Sequence, residues 1–195
     1  MTVRGDTRAI LLAERTALNF LGHLSGIATL TRTWVDAVAG TKCEIRDTRK
    51  TTPGMRLLEK YAVRMGGGTN HRMSLSDAAL IKDNHIAAAG GVVAAFSLVH
   101  EKFPTSEIEI EVDNLQQLRD VLPLKPGLVL LDNMSPDQCA EAVALVDGAI
   151  KLEASGGITI ENARAYADAG VDYIAVGALT HSAPNFDIGL DMRVE

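Results

Sequence analysis

Short apolar runs alternate with amphipathic segments along most of the chain. The runs are rich in β-branched residues and occupy residues 41–46, 78–82, 107–112, 127–131, 149–153 and 172–176. Each run has the length and composition of a buried strand. Between the runs, apolar residues recur at helical spacing in residues 54–66, 86–102, 114–121, 135–147 and 159–169. The pattern predicts repeated strand–helix units, which form a parallel sheet covered by helices.

The region before the first predicted strand, residues 6–38, has a helical pattern only. We expect two helices there, with a cap at residue 6 or 7 and an interruption near Gly26. Because it contains no strand-like run, this region cannot contribute to the sheet. It is a lead-in to the sheet or the end of a preceding domain.

Charged or small polar residues follow every predicted strand, near residues 47, 83, 113, 132, 155 and 177. In a parallel barrel these strand ends meet on one face, where active sites are built. An open doubly wound sheet would instead bind a ligand at a single switch point. Six polar strand ends favour an incomplete TIM-like parallel α/β barrel, which we assign to residues 39–195 after a helical lead-in over residues 1–38. Residues 70–76 or the C-terminus could provide a further strand.

The composition is that of a globular protein, with 47% hydrophobic residues and a formal charge of −6. No apolar run approaches the roughly 18 residues of a membrane span, and the first residues lack the apolar stretch of a signal peptide. We therefore expect a cytoplasmic protein without a membrane partner. Cys43 and Cys139 lack the spacing of a metal site and are expected to be buried structural residues.

The charge is unevenly distributed. Residues 42–85 contain nine lysines and arginines against five acidic residues, a local charge of +4, whereas the remainder of the chain carries −10. Duplex binding requires an extended positive face, and base stacking requires aromatic residues, which are 4% of this chain. A nucleic-acid partner is therefore not expected. A small, highly anionic ligand in a focused cationic pocket fits the pattern better.

Two glycine-containing turns are candidate phosphate sites. The Ser-Gly-Gly turn at residues 155–157 precedes a helix predicted from about residue 159, so that backbone N–H groups could face an anion. The loop at residues 177–181 follows the next strand, and paired phosphate contacts from the last two loops recur in barrels. A tight strand-to-helix turn is the alternative for residues 155–157. The three glycines at residues 66–68 are expected to end a helix instead.

Eight motifs in order along the chain resemble the quinolinate phosphoribosyltransferases, also called carboxylating nicotinate-nucleotide diphosphorylases. The motifs are ERTALNFLGHLSGIAT (14–29), DTRKTTPGMR (47–56), NHR (70–72), LIKDNH (80–85), EIEVDN (109–114), LLDNM (130–134), EASGGI (153–158) and VGALTHS (176–182). The resemblance is collinear from about residue 8 to the C-terminus. It implies that the chain makes nicotinate mononucleotide, carbon dioxide and pyrophosphate from quinolinate and phosphoribosyl pyrophosphate, with Mg²⁺, in NAD biosynthesis.

The resemblance also implies roles for individual residues. Two quinolinate carboxylates would be bound by Arg49, His71, Arg72 and Lys82, and by Arg15 from the partner subunit of a homodimer. The catalytic residues would be Lys50, Glu111 and Asp132, with Glu111 and Asp132 also as Mg²⁺ ligands. The full set of expected substrate-binding residues is Arg15, Thr48, Arg49, Lys50, His71, Arg72, Lys82, Glu111, Asp132, Ser155, Gly156, Gly157, Val176, Gly177, Ala178 and His181.

These residue types suit the implied chemistry. Arginine forks and lysine point charges bind carboxylates. Carboxylates near the ribose or Mg²⁺ stabilise the positive charge that develops when pyrophosphate leaves. The resulting pyridinium stabilises the carbanion formed on decarboxylation, so no strong protein base is required. Position and charge neutralisation are what the protein contributes.

Three other functions fit parts of the pattern. A barrel lyase could use Lys82 as a Schiff-base nucleophile. A non-catalytic barrel fragment could bind phosphate or carboxylate without turnover. A related phosphoribosyltransferase could use another aromatic acid as its acceptor.

The family pattern includes an N-terminal α/β domain, which would cover the barrel mouth of the partner subunit. Only about seven residues precede the matching region in this chain. We therefore expect that domain to be absent here and catalysis by the barrel alone to be weakened.

Overall fold

The computed structural model describes residues 2–192, and its centre is a sheet of parallel strands. The strands, in chain order, are β1 (Glu44–Arg46), β2 (Ala79–Ile81), β3 (Ile108–Val112), β4 (Leu128–Asp132), β5 (Lys151–Ser155) and β6 (Tyr173–Ala175). Their order across the sheet is β1-β6-β5-β4-β3-β2, and every pairing is parallel. Each strand matches one of the six predicted runs to within three residues. The predicted parallel α/β architecture is confirmed.

Helices connect the strands and cover the outside of the sheet. They are α1 (Thr7–Ala37), α2 (Arg56–Met65), α3 (Asp83–Ala89), α4 (Val92–Lys102), α5 (Leu115–Val121), α6 (Pro136–Val146), α7 (Ala163–Asp168) and α8 (Ala178–His181), with a 3₁₀ turn at Leu122–Leu124. The buried core lies between this layer and the sheet and is built from residues such as Ile27, Val63, Ile110, Leu131 and Ile174. Within residues 2–192, no helix combines the length and hydropathy needed to cross a membrane.

The sheet is an incomplete barrel and does not close. Its edge strands are β1 and β2, which do not pair with each other. Beside β1, Thr69 adds one parallel bridge to Arg46. Residues 70–76, one of the two places that could provide a further strand, form none, and neither do the described C-terminal residues up to 192. The carboxyl ends of the strands nevertheless lie on one face, as the sequence predicts.

The lead-in is one continuous helix, so the predicted interruption near Gly26 is wrong. Helix α1 begins after Asp6, whose side chain accepts a hydrogen bond from the Ala9 N–H. Gly26 is required for close packing rather than for a break, because a Cβ there would lie 2.0 Å from the carbonyl oxygen of Pro184. Ile27 and Trp34 bury the second half of α1 in the core. The domain boundary at residue 38 stays a prediction.

Two other helix boundaries differ from the sequence prediction. The segment predicted as one helix over residues 86–102 is divided into α3 and α4, because Gly90 and Gly91 adopt φ angles of 84° and 139° that end one helix before the next begins. Helix α7 begins at Ala163 and not near residue 159, since a turn held by the Thr159 carbonyl precedes it.

Both cysteines are buried and free, as predicted. Burial raises the pKa of Cys43 to about 12 and the pKa of Cys139 to about 11. Thiols with raised pKa values carry little of the reactive thiolate. Their contribution is therefore packing.

Candidate active site

A cavity of about 680 Å³ opens at the carboxyl ends of the strands. Most of the residues predicted for the substrate line it, and these are Thr48, Arg49, Lys50, His71, Arg72, Lys82, Asp132, Ser155, Gly156, Gly157, Val176, Gly177, Ala178 and His181. Leu80, Leu130, Asn133, Glu153, Ile158 and Ala175 complete the lining. The sequence motifs therefore converge on one cavity, because most of them lie at the carboxyl ends of strands of the same parallel sheet, and the 70–72 motif lies between α2 and β2.

Two arginines give the cavity an unbalanced positive charge. Arg49 and Arg72 each keep a buried Nε atom without a hydrogen-bond partner. Burial, followed by repulsion from Arg49, lowers the pKa of Arg72. The Arg72 Nη1 donates to the carbonyl of Ala78 at 2.8 Å, which fixes the guanidinium in place. An anion between the two guanidinium groups would satisfy both free donors and relieve their repulsion.

A buried ion pair holds the segment that carries His71 and Arg72. Lys60 is 1% exposed, and its Nζ lies 2.5 Å from Asp47 Oδ1. The same ammonium donates to the carbonyl oxygens of His71 and Arg72 at 2.8 and 3.1 Å. Asp47 in turn accepts from the His71 N–H at 2.8 Å and from the side chain of Asn70. The backbone at residues 70–72 is therefore anchored to the end of β1 and to α2.

His71 lines the cavity, but both of its ring nitrogens contact protein atoms. Nδ1 accepts from the Arg72 N–H at 2.8 Å, and Nε2 lies 2.8 Å from Glu109 Oε2. Beyond Glu109, Glu153 binds Arg46 Nη1 at 2.8 Å. Burial and the nearby Glu109 carboxylate raise the pKa of Glu153 to about 7. The floor of the cavity is therefore a buried polar cluster.

On one side of the cavity, carboxylates cluster at the ends of β3 and β4. One oxygen each of Glu111, Asp113 and Asp132 lies within 4.8 Å of the others. Burial, then the Glu111 carboxylate, raises the pKa of Asp132. Lys82 forms an ion pair with Glu111 Oε2, and Glu111 Oε1 accepts from the Asp83 N–H at 3.2 Å. Glu111 itself is buried and is not among the lining residues.

This carboxylate cluster suits Mg²⁺. The ion prefers hard oxygen ligands and is usually bound by one or two carboxylates together with substrate phosphates. A cation here would also relieve the repulsion between Glu111 and Asp132. The sequence predicted both residues, and the structure brings Asp113 beside them.

Close packing joins the predicted phosphate turns to their neighbours. A Cβ at Gly156, where φ is 90°, would lie 2.2 Å from Asn133 Oδ1, and one at Gly177 would lie 3.1 Å from Lys50 Cδ. The Thr180 hydroxyl donates to the Lys50 carbonyl at 2.8 Å. Lys50 therefore packs against the 177–181 turn.

Arg15, which was also predicted for the substrate, lies at an exposed position of α1 and does not line the cavity of its own chain. Sequence reasoning also left several residues of the site without a role, among them Glu109, Lys60, Glu153 and Asn133. Glu109 and Lys60 were missed because a charged residue in a strand or helix is ordinarily solvated. Asn133 lies within the 130–134 motif and adopts a φ of 53°. The signal that could have revealed it is an asparagine directly after a strand, since asparagine tolerates this conformation.

Comparison with known proteins identifies a family for this fold and site. The model for the C-terminal domain of quinolinate phosphoribosyl transferase matches residues 27–191. The nicotinate-nucleotide pyrophosphorylase (carboxylating) of Mycobacterium leprae is 56% identical over 98% of this chain and 69% of its own length. A protein of Bacillus subtilis with the same name, qualified as probable, is 44% identical over 98% of this chain and 67% of its own length.

A solved structure agrees with the sequence comparison. The nicotinate-nucleotide pyrophosphorylase of Ehrlichia chaffeensis superposes with a TM-score of 0.90 at 48% identity, over 93% of this chain and 66% of that one. The chain thus spans about two thirds of the length of these relatives.

Proposed function

The chain belongs to the quinolinate phosphoribosyltransferase family, and from that membership we propose that it transfers the phosphoribosyl group of phosphoribosyl pyrophosphate to quinolinate with decarboxylation. The products are nicotinate mononucleotide, carbon dioxide and pyrophosphate, a step of NAD biosynthesis. One observation carries the proposal: two arginines with free buried donors line a cavity that also holds a carboxylate and two glycine turns. This arrangement provides separate places for an anionic acceptor, a ribose and phosphates.

The acceptor is assigned to the arginine side of the cavity. Arg49 and Arg72 bind the two carboxylates of quinolinate, with Lys82 adding a third positive charge. Binding a dianion neutralises the repulsion between the guanidinium groups and orients the pyridine nitrogen toward the ribose. Holding the two reactants in this geometry supplies much of the rate enhancement.

The ribose is assigned to the side of the carboxylates. When the bond from the ribose C1 to pyrophosphate breaks, positive charge develops on the sugar, and Glu111 and Asp132 stabilise it. The quinolinate nitrogen attacks the same carbon. Glu111, Asp132 and Asp113 would also hold Mg²⁺, which would supply charge neutralisation for the leaving pyrophosphate.

Lys50 and the two glycine turns are assigned to the phosphates. Residues 155–157 and 177–181 bring backbone donors close to the cavity, and glycine is required where the chain approaches a neighbouring side chain. Lys50 reaches the same place through its contact with Gly177. Its point charge suits a phosphate group.

We propose that the active form is a homodimer in the cytoplasm, with Arg15 of one subunit completing the acceptor site of the other. The supporting observation is a set of exposed apolar side chains on α1 and α2, which are Leu11, Leu12, Phe20, Leu21, Leu57, Leu58, Tyr61 and Met65. Exposed apolar patches of this kind mark interaction surfaces. Arg15 lies within the α1 part of this set.

A Schiff-base lyase gains no support from the position of Lys82. Such an enzyme activates its lysine by desolvation or by a neighbouring cation. The Lys82 side chain is 47% exposed and forms an ion pair with Glu111. Lys82 therefore has neither the desolvated site nor the neighbouring cation that such activation requires.

The test is formation of nicotinate mononucleotide from quinolinate, phosphoribosyl pyrophosphate and Mg²⁺, together with quinolinate binding by calorimetry. Lys82→Ala should abolish product, whereas Lys102→Ala, at the exposed end of α4, should behave as the parent. Binding without turnover would support a non-catalytic fragment. Neither binding nor turnover would refute the proposal.

A further inference from the structure

A buried polar cluster lies directly beneath the acceptor side of the cavity. His71, Glu109 and Glu153 are 8%, 3% and 0% exposed. His71 Nε2 lies 2.8 Å from Glu109 Oε2 and 3.6 Å from Glu153 Oε1. The second oxygen of Glu153 accepts from Arg46 Nη1. Buried charges at these positions are costly unless each has a defined partner, so the geometry constrains where protons lie.

The hydrogen bonds assign the tautomer of His71. The backbone N–H of Arg72 is a donor, so His71 Nδ1, at 2.8 Å, must offer its lone pair. The ring proton of neutral His71 therefore sits on Nε2, where it donates to Glu109 Oε2. The histidine acts as a rigid bridge between a carboxylate on β3 and the backbone of the acceptor segment, residues 70–72.

The same tautomer argues against a metal ion in this cluster. One ligand atom each of His71, Glu109 and Glu153 lies within 4.8 Å of the others, a spacing that a metal could use. A metal on Nε2 would require the lone pair of that nitrogen, and the ring proton would then move to Nδ1. Nδ1–H would face the Arg72 N–H, donor against donor. The donor pattern therefore fits a hydrogen-bonded bridge and not a metal site.

We infer that Glu109 is a positioning residue for the acceptor site, which it serves by fixing the His71 ring so that Nδ1 holds the backbone of Arg72. Arg72 is then constrained at its N–H by His71, at its carbonyl by Lys60 and at its guanidinium by Ala78. These three bonds fix the guanidinium whose Nε remains free. The role at the acceptor rests on the proposed function, whereas the tautomer does not.

This inference revises the expected role of His71. The sequence placed it among the direct ligands of quinolinate. With both ring nitrogens bound to protein atoms, His71 instead contributes to affinity through Arg72. Glu109 in turn acts through His71, because it holds the ring in place without lining the cavity itself.

The first test is the ring ¹⁵N spectrum of the unliganded parent chain, with the His71 signals assigned by their loss in His71→Asn. We expect a neutral ring protonated on Nε2. A ring protonated on Nδ1, or on both nitrogens at neutral pH, would overturn the inference. This measurement decides the tautomer even if the chain binds no quinolinate, in which case the proposed function alone fails.

The second test separates the hydrogen bond of Glu109 from its charge. Glu109→Gln keeps an acceptor for Nε2–H and should bind quinolinate within about threefold of the parent, whereas Glu109→Leu removes it and should bind at least about tenfold more weakly. The KM for phosphoribosyl pyrophosphate should not change in either variant. Glu107→Leu, an exposed position before the same strand, is the matched control and should bind as the parent.

The isosteric variant keeps the second test decisive if Glu109→Leu does not fold. Glu109→Gln should retain the Nε2–H tautomer in the same spectrum. Loss of the tautomer in Glu109→Gln, or equal weakening of quinolinate binding by both substitutions, would show that the carboxylate charge matters instead and would overturn the inference. Parent-like binding by Glu109→Leu would overturn it as well.

Discussion

Among single residues, this site is organised by like charges that lie close together. Arg49 and Arg72 keep free buried donors, and Asp132 lies close to Glu111. Each of these arrangements costs free energy in the unliganded protein because like charges lie close together. Each becomes favourable when a ligand of the opposite charge binds. These positions are therefore the basis on which the acceptor and the ribose are assigned to opposite sides of the cavity in the proposed function.

Removing one of the unbalanced arginines should weaken acceptor binding. Arg72→Ala is expected to reduce quinolinate affinity by about 2–5 kcal/mol, because a bound carboxylate would lose a buried, charge-assisted partner. Calorimetric titration measures this change. Arg119→Ala, an exposed arginine on α5, should leave the affinity as it is. Equal affinities of parent and Arg72→Ala would mean that the acceptor binds elsewhere.

Glu111→Ala should separate chemistry from binding. The carboxylate is assigned to charge on the ribose that develops only in the transition state, so kcat should decrease more than quinolinate affinity does. Steady-state kinetics beside calorimetry measure the two effects, with Glu101→Ala on α4 as the exposed control. If both quantities decreased by the same factor, Glu111 would belong to the acceptor site instead.

Glu153 should make stability depend on pH. Burial raises the pKa of Glu153 from 4.5 to about 7, so between these values the folded chain binds more protons than the unfolded chain. The protonated Glu153 therefore stabilises the folded chain fully below about pH 4.5. This stabilisation, about 3 kcal/mol in total, is lost as the pH rises to about 7.

Chemical unfolding of the parent and of Glu153→Gln across this pH range measures that contribution. Because a glutamine side chain does not titrate, the parent should lose stability relative to the variant as the pH rises. Glu141→Gln, exposed on α6, should follow the parent. Parallel pH profiles for the parent and Glu153→Gln would show that folding does not raise the pKa of Glu153.

Among the helices and strands, glycines determine how the helices meet their neighbours. Gly22 and Gly26 let the segment near residues 184–186 lie directly against α1, where the Phe186 N–H donates to the Gly22 carbonyl. Gly90 and Gly91 separate α3 from α4. Glycine thus allows a distant segment to pack against the middle of α1, whereas at residues 90 and 91 it ends α3. Local sequence does not distinguish these uses, since the contacting segment lies far along the chain.

Gly26→Ala should destabilise the chain, although alanine is the better helix former by about 1 kcal/mol. The added Cβ would lie 2.0 Å from the Pro184 carbonyl oxygen, so the 184–186 segment must move. We expect a net loss of about 1–3 kcal/mol. Thermal unfolding measures the change, and Ser25→Ala in the same turn is the control. A rise in Tm for Gly26→Ala would show that the contact is not formed.

In the molecule as a whole, an open parallel sheet brings the carboxyl ends of six strands to one face. The proposed homodimer would add Arg15 of the partner subunit to this face, since Arg15 is exposed and lies outside the cavity of its own chain. A two-fold interface is self-complementary, so each subunit would donate Arg15 and receive it. The exposed apolar side chains of α1 and α2 are the surface on which such a dimer would form.

Subunit complementation tests this arrangement. Arg15→Ala and Lys82→Ala should each be inactive alone. After co-refolding in equal amounts, about a quarter of the sites should recover activity, because half of the random dimers contain one site with an intact Lys82 and an intact Arg15 from the partner. Refolding Lys82→Ala with Arg72→Ala, whose lesions share one site, is the control. The absence of recovery in the first mixture would refute the shared site.

Local patterns in the chain were enough to predict the order of strands and helices and the chemistry that follows each strand. Hydrophobic periodicity is local, so six strands could be predicted, and parallel connection makes their ends coincide. The candidate phosphate turns, the arginines and the carboxylates could be identified because they lie in short motifs, which are also local features of the sequence. The motifs also identified the family, and the comparisons confirm it.

Which charges are buried, and what they bind, became visible only in the folded chain. Lys60 contacts Asp47 from 13 residues away, and Arg46 contacts Glu153 from 107 residues away. Whether Glu109 faces solvent or His71 depends on the packing of strands and loops that are remote in sequence. Because the free energy of a buried charge is set by such partners, no local pattern could reveal the residues that support the site.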